Sequence, residues 1–431
     1  MHYLRGYSFV FIGALFFLLG SPFFKNDLVL ISNSSSVVQS DTIPFSKTPK
    51  IVIRISSVGD IMVHQTQLTA QKKSDGTYGF DNNFQFMKGL FESSDVMIGN
   101  LETNFAGEKK GYTAYPQFNS PDALASAIKN SGINLVATAN NHTYDNGGEA
   151  MLRTLDILRE QGLETFGTQK TTEEKNYVIR DVKGVKIGFA SYTYESGKNP
   201  EGLKTINGLT VGKAYEPLLN SFDPYDVEED LAEMQNVVAN MKADSAEFIV
   251  FVMHWGVEYK PQPSNNQMLV AKALNEAGVD VIFGSHPHVV QPIDFIVNDS
   301  TQHITFVAYS MGNFISNQRY ESMQNYSTED GLYVGVEIEK DGNNKPVLKQ
   351  VFYEPTWVNR YKKGDKYYFE VVPARIAKEN KEAYNIFEDA IEERVKASCE
   401  RTMQMVENPL FENSEIFFSR YLKSHKILLA K

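Results

Sequence analysis

Short apolar runs recur along this chain, and most of them stop at a glycine or a small polar cluster. Residues 51–58 end at Gly59-Asp60, and residues 96–99 run into Asn100-Leu101-Glu102. Residues 133–137 deliver Asn140-Asn141-His142, 248–253 deliver His254-Trp255-Gly256, and 279–283 deliver Gly284-Ser285-His286-Pro287-His288. Runs of this length, rich in β-branched residues and bounded by glycine, predict buried parallel strands. Residues 185–190 and 304–308 predict two more, the second ending in Tyr309 to Phe314. Between them, apolar residues fall at helical spacing over 123–129, 151–161, 228–241 and 268–276. Ser120 and Pro121 fit the N-cap and first turn of the first helix, and Gly132 its end. Strands alternating with helices predict a layered α/β sheet whose polar groups gather along one edge. From residue 331 the pattern changes to hairpin-like alternation over 332–339, 347–353 and 366–372, followed by charged helices to residue 422.

Length and composition narrow the chemistry. A chain of 431 residues suffices for one large α/β domain with an appendage, or for two domains. A formal net charge of −11 argues against nucleic acid as a partner, because that needs a basic face. The single cysteine, Cys399, excludes an intramolecular disulfide and a cysteine-based zinc site. Any metal must use His, Asp, Glu or Asn. At the N-terminus, Arg5 precedes an apolar stretch over 7–19, then Gly20-Ser21-Pro22. Residues 1–24 are expected to be a signal peptide or an uncleaved membrane anchor, and 25–49 a polar linker. Either reading exports the remainder.

Ligand-type side chains collect at the strand ends. Two imidazoles flank Pro287, which fixes its own φ and restricts its neighbour, so the loop holds both rings in few conformations. Pairs of this kind suit a divalent transition metal. Asp60 at a strand end reads equally as a ligand or as the cap of a following helix. Collected, Asp60, Glu102, Asn141, His142, His254, His286 and His288 offer the mix that two adjacent ions need: a bridging carboxylate with imidazoles and harder oxygens. Such a pair of ions, about 3.5–4 Å apart, binds a phosphate ester and activates water.

Gly59-Asp60, Asn100-Leu101-Glu102, Asn140-Asn141-His142 with Asp145 and Gly147, His254-Trp255-Gly256 with Glu258-Tyr259, and Gly284 to His288 occur in this order. Over residues 50–320 this set resembles the poly-γ-glutamate capsule synthesis (CapA-type) family, a branch of the calcineurin-like metallophosphatases. The resemblance implies a four-layer α/β/β/α sandwich over 50–320, here with a β extension over 321–373 and a helical tail over 374–431. It implies a site for divalent metal ions, two of them, of Mn, Fe or Zn type. Asp60 resembles the carboxylate that opens the metal site, and Glu102 stands at the bridging position. Asn141 and His142 resemble the pair in which Asn ligates metal and His protonates the leaving oxygen; by the same resemblance His254 and His286 would serve one ion and His288 the other. Asp145 either orients His142 or caps the helix after Gly147. The chain departs from the wider superfamily at Met62, where the opening histidine would stand, and at Glu102, which replaces an aspartate. His64 is the nearby imidazole that would substitute if the loop bends back.

The functional expectation is an exported or membrane-anchored protein of capsule or exopolymer biosynthesis with a phosphoesterase-like site. Its partners would be an anionic polymer or phosphate-ester substrate and membrane capsule-synthesis proteins. The alternative is a non-hydrolytic accessory or export component of the same machinery; an exported nuclease is disfavoured by the acidic balance. Trp255 and Tyr259 read as groove-lining or as packing aromatics, and Gly312-Asn313-Phe314 as a structural turn near the site.

Overall fold

A parallel strand buried on both faces cannot alternate polar and apolar side chains, and its apolar run then has to feed two cores at once. The computed structural model, which describes residues 50–408 and 410, shows this directly. Along Phe248–His254, Phe248, Val250 and Val252 enter one core while Ile249, Phe251 and Met253 enter another. Along Val96–Leu101, Val96 and Ile98 join that same first core, whereas Met97 and Leu101 face the opposite way.

The shared core lies between two sheets. The first runs in the order Lys366–Pro373, Val347–Lys363, Asp330–Lys340, Ile51–Ile61, Val96–Leu101, Leu135–Ala137, Glu164–Phe166, with Asn313–Ile315 also pairing Ile51–Ile61. Its last four strands are mutually parallel and the C-terminal three antiparallel. The second sheet runs Ser221–Phe222, Val185–Tyr194, Phe248–His254, Val281–Ser285, Ile304–Ala308, Ile293–Val297. Phe84, Phe91, Leu124 and Ile128 cover the outer face of the first sheet, from Asp81–Phe84, Lys88–Glu92 and Ala123–Asn130. Val237, Met241, Val270 and Leu274 cover the second, from Glu228–Ala243 and Asn265–Ala277. The layers are therefore α/β/β/α, with a C-terminal antiparallel extension and the helix Asp389–Val406 beyond it.

Several local expectations are adjusted. Ser120 does not cap a helix: its hydroxyl meets that of Thr103 at 2.9 Å, and the helix starts at Ala123 after a tighter turn from Pro121. Residues 347–353 are the first half of a longer strand, Val347–Lys363, because it pairs first with Asp330–Lys340 and then with Lys366–Pro373. The expectations for residues 1–24 and 25–49 lie outside the described residues. Among the described residues, no helix is long and apolar enough to cross a membrane.

One glycine sets the geometry of the loop edge. In the pairing of Ile51–Ile61 with Val96–Leu101 the register skips Gly59, a bulge that re-aims the next residue, Asp60. A Cβ at Gly59 would lie 1.8 Å from the Gly312 carbonyl oxygen, so only hydrogen fits. Gly59→Ala should cost about 3 kcal/mol in urea unfolding, from overpacking against backbone that has nowhere to go. Gly89→Ala, on the exposed face of Lys88–Glu92 where a Cβ meets nothing within 4 Å, should instead add about 1 kcal/mol. Equal effects at the two positions would refute this account of the bulge.

Candidate metal centre

Asp60 and Glu102 lie where two parallel strands stop side by side. Asp60 is one residue from the end of Ile51–Ile61, Glu102 directly follows Val96–Leu101, and both are fully buried. Asp60 is well supplied: Asn100 Nδ2 donates to Oδ1 at 2.8 Å and His288 Nδ1 to Oδ2 at 3.0 Å. Glu102 is not. Neither of its oxygens receives a hydrogen bond, although Oε1 lies 3.6 Å from His254 Nε2, 3.8 Å from His288 Nε2 and 4.0 Å from His142 Nε2. Burial first, and then the Asp60 carboxylate, push the Glu102 pKa well above the ordinary range.

Glu102 belongs to two sets of potential ligands. Glu102, His286 and His288 each bring a ligand atom within 4.8 Å of the others, and so do Asp60, Glu102 and His254. His286 Nδ1 is likewise buried with no hydrogen-bond partner. An orphaned carboxylate among imidazole nitrogens, with a second carboxylate beside it, fits one or two divalent cations shared through Glu102. Burial, and then neighbouring imidazoles, hold His254 and His286 well below the usual histidine range. Both rings are therefore neutral at pH 7, the form that ligates metals.

The loop carrying two of these rings is strained. His286 and His288 have φ of 98° and 56°, in the left-handed region that disfavours side chains with a Cβ, and Pro287 sits between them. Tyr259, itself at φ 63°, donates its backbone N–H to the Pro287 carbonyl at 2.7 Å. Asn313 Nδ2 donates to the His288 carbonyl at 3.3 Å, which makes Asn313 a brace for this loop. Trp255 is packing: it lies against Tyr309 and its indole N–H donates to the Tyr309 carbonyl at 2.9 Å. Tyr259 is half-exposed, 6.0 Å from the His288 ring, and borders a cavity of about 380 Å³ beside the C-terminal helix.

His142 has a partner on each side. Its Nδ1 lies 2.8 Å from Asp145 Oδ2, and its Nε2 turns toward Glu102. The same Asp145 oxygen accepts the Phe118 backbone N–H at 2.7 Å, and the Phe118 ring meets the imidazole edge-on at 4.7 Å. Asp145 therefore attends His142, while Gly147 occupies the N-cap of Gly148–Glu160. Asn141 Oδ1 lies 2.8 Å from His254 Nε2. His64 comes to the rim and joins neither set of three: its Nδ1 accepts the Asn317 backbone N–H at 3.1 Å. Burial, and then the His288 ring, lower its pKa to about 4. Met62 is fully buried.

Two neighbours escaped the sequence reading. Asn100 sits between Asp60 and His254, 3.3 Å from His254 Nδ1. Its place two residues before Glu102, inside the same polar cluster, was the available signal. Tyr194 ends Val185–Tyr194 and lies 4.6 Å from the His286 ring and 6.4 Å from His254. The apolar run that predicts its strand, 185–190, stops four residues short of it, and the Glu195 that follows turns instead to Ser221 and Lys204.

Ionised Glu102 opposes folding. Its folded pKa is raised, so the penalty is absent below the unfolded value of about 4.3 and grows as pH rises through the folded pKa. Metal-free Glu102→Gln should therefore melt higher than the unaltered chain at pH 7, and the gap should close as pH falls toward 4. The same substitution should weaken Mn²⁺ binding measured by calorimetry. A variant that melts lower at pH 7 would show that Glu102 has donors after all.

Comparison with known proteins places the chain. Residues 54–318, more than half of it, match the family described as bacterial capsule synthesis protein PGA_cap. The PGA biosynthesis protein CapA of Bacillus subtilis (strain 168) is 28% identical over 312 residues, covering 70% of this chain and 73% of that protein. The capsule biosynthesis protein CapA of Bacillus anthracis is 28% identical over 295 residues, covering 67% of this chain and 65% of that one. Among solved structures, the NAD nucleotidase NadN of Haemophilus influenzae aligns with a TM-score of 0.43 and 12% identity, over 88% of this chain and 66% of that one. On the extent and order of the sequence match, the chain belongs to the bacterial capsule synthesis protein family PGA_cap.

Proposed function

We propose that this chain is a metal-dependent hydrolase of phosphate esters that serves capsule or exopolymer biosynthesis outside the cytoplasm, delivered there by residues 1–24. The observation that carries this reading is Glu102, a buried carboxylate without donors that two clusters of ligand atoms share. Family membership supports the polymer context, since both CapA relatives are described by capsule or PGA biosynthesis.

In this reading Asp60, Glu102, Asn141, His254, His286 and His288 hold two divalent cations of Mn, Fe or Zn type, with His64 as an outer donor. When bound, such ions supply an activated water and neutralise charge on a phosphoryl group. The chain's own contribution is then positional and acid–base. Asp145 fixes the ring of His142 from Nδ1, which leaves Nε2 as the atom that carries a proton to a leaving oxygen. Phe118 locks both partners, through its backbone N–H on Asp145 and its ring against the imidazole. Burial of His142 and Asp145 keeps bulk water from competing for that proton.

Met62 favours a second reading. A buried thioether stands where a further imidazole would complete the ligand set, and thioethers bind hard divalent ions poorly. A centre that binds metal without turnover would suit an accessory protein of polymer assembly or export.

One assay separates the two. The full chain, loaded with Mn²⁺, should hydrolyse p-nitrophenyl phosphate or its diester. His142→Ala should lower kcat by about 10²–10⁴-fold with unchanged metal content by elemental mass spectrometry. Asp145→Asn should lower kcat less and shift the pH profile. A metal-loaded chain with no turnover on either ester would select the accessory reading.

A further inference from the structure

The Ile51–Ile61 and Val96–Leu101 strands are parallel neighbours, and their register sets Asp60 directly beside Asn100. Side chains alternate along a strand. Ile98, two residues before Asn100, faces the core between the sheets, so Asn100 faces the second sheet as well, where His254 ends its strand. The amide nitrogen of Asn100 consequently meets a group from each sheet, Asp60 Oδ1 at 2.8 Å and His254 Nδ1 at 3.3 Å. An amide nitrogen carries two hydrogens, one for Asp60 and one for His254 Nδ1 when that ring carries its proton on Nε2, where Asn141 Oδ1 accepts it at 2.8 Å. The side chain is 1% exposed, and its Oδ1 accepts no hydrogen bond, an oxygen left over in a centre built of oxygen and nitrogen ligands.

We propose that Asn100 is a positioning residue that ties Asp60 of the first sheet to His254 of the second and so sets the centre's affinity for a divalent cation. The proposal rests on the reading that the centre binds such a cation. Asp60, Glu102 and Asp145 are each 0–5% exposed, and among the described residues no lysine or arginine hydrogen-bonds or ion-pairs with them. A neutral donor at position 100 holds one of these carboxylates in place without adding charge of either sign. An aspartate there would add a third acid beside Asp60 and Glu102. Repulsion would loosen the metal-free protein, while a cation would gain another anionic ligand. Asparagine is thus the choice that keeps the centre assembled before an ion arrives, at the cost of some affinity.

The test uses metal-stripped full-length protein, with Mn²⁺ titration calorimetry and metal-free thermal melting on each variant. Asn100→Ala should weaken Mn²⁺ binding by about 10–100-fold, the usual effect of removing a group that orients ligands. Asn100→Ser, which retains a hydroxyl donor, should fall between Ala and the unaltered chain. Asn100→Asp should move the two readouts in opposite directions, with a lower metal-free melting temperature and tighter Mn²⁺ binding. A merely structural role would lower both readouts in every variant, and that pattern would overturn the proposal. So would Mn²⁺ affinities within about twofold of the unaltered chain, which leave the cation reading intact. If the unaltered chain binds no Mn²⁺, the cation reading falls and takes this proposal with it.

Discussion

Everything at the loop edge of this molecule answers to one buried carboxylate that has no hydrogen-bond donor. Glu102 sits among the Nε2 atoms of His142, His254 and His288, and burial, then the Asp60 carboxylate alongside, disfavour its charge. A fold tolerates such a group only when the surrounding framework is strong enough to hold it there. Here that framework is two sheets whose strands end together, so that His254, His286 and His288 come from the second sheet, and both carboxylates and His142 from the first. The centre is a seam between layers, and the core beneath it, from Ile55 and Ile98 to Val252 and Phe283, keeps the seam closed.

Much of this was legible in the sequence because the strands are buried on both faces. Continuous apolar runs announced them, and the polar residue at each end announced the loop edge. The bringing together of Asp60, Glu102, His254, His286 and His288 followed from placing those ends on one side. What remained hidden depended on register. Asn100 acquires its contacts only because the bulge at Gly59 aligns Asp60 with it, and a bulge leaves no periodic trace. Tyr194 needs the strand order of the second sheet, and Asp145 had two local readings until the Phe118 loop was seen to fold onto it. The start of the Ala123–Asn130 helix was misplaced for a similar reason: Ser120 has the chemistry of a cap, and a distant Thr103 hydroxyl engages it instead.

The C-terminal part is tied to the rest by charge rather than by apolar area alone. From the helix Asp389–Val406, Arg401 grips Asp330 at 2.9 and 2.7 Å, and Arg394 pairs with Glu321 and Glu329. Those acids lie on the segment that follows Asn313, the residue bracing the His288 loop. Val395 and Cys399 add a small apolar contact against Trp357 and Val372, which explains why the lone cysteine is buried and has no role at the centre.

The left-handed backbone at His286 and His288 also bears on how such a chain changes over generations. Each non-glycine residue held there costs on the order of 1–3 kcal/mol, and glycine would relieve the strain at once. A lineage with no further use for these two rings would gain stability with the first such exchange, so neutral drift runs toward their loss. Both histidines stand in this chain at backbone conformations that penalise a Cβ, so the loop presents its two rings at the expense of its own stability.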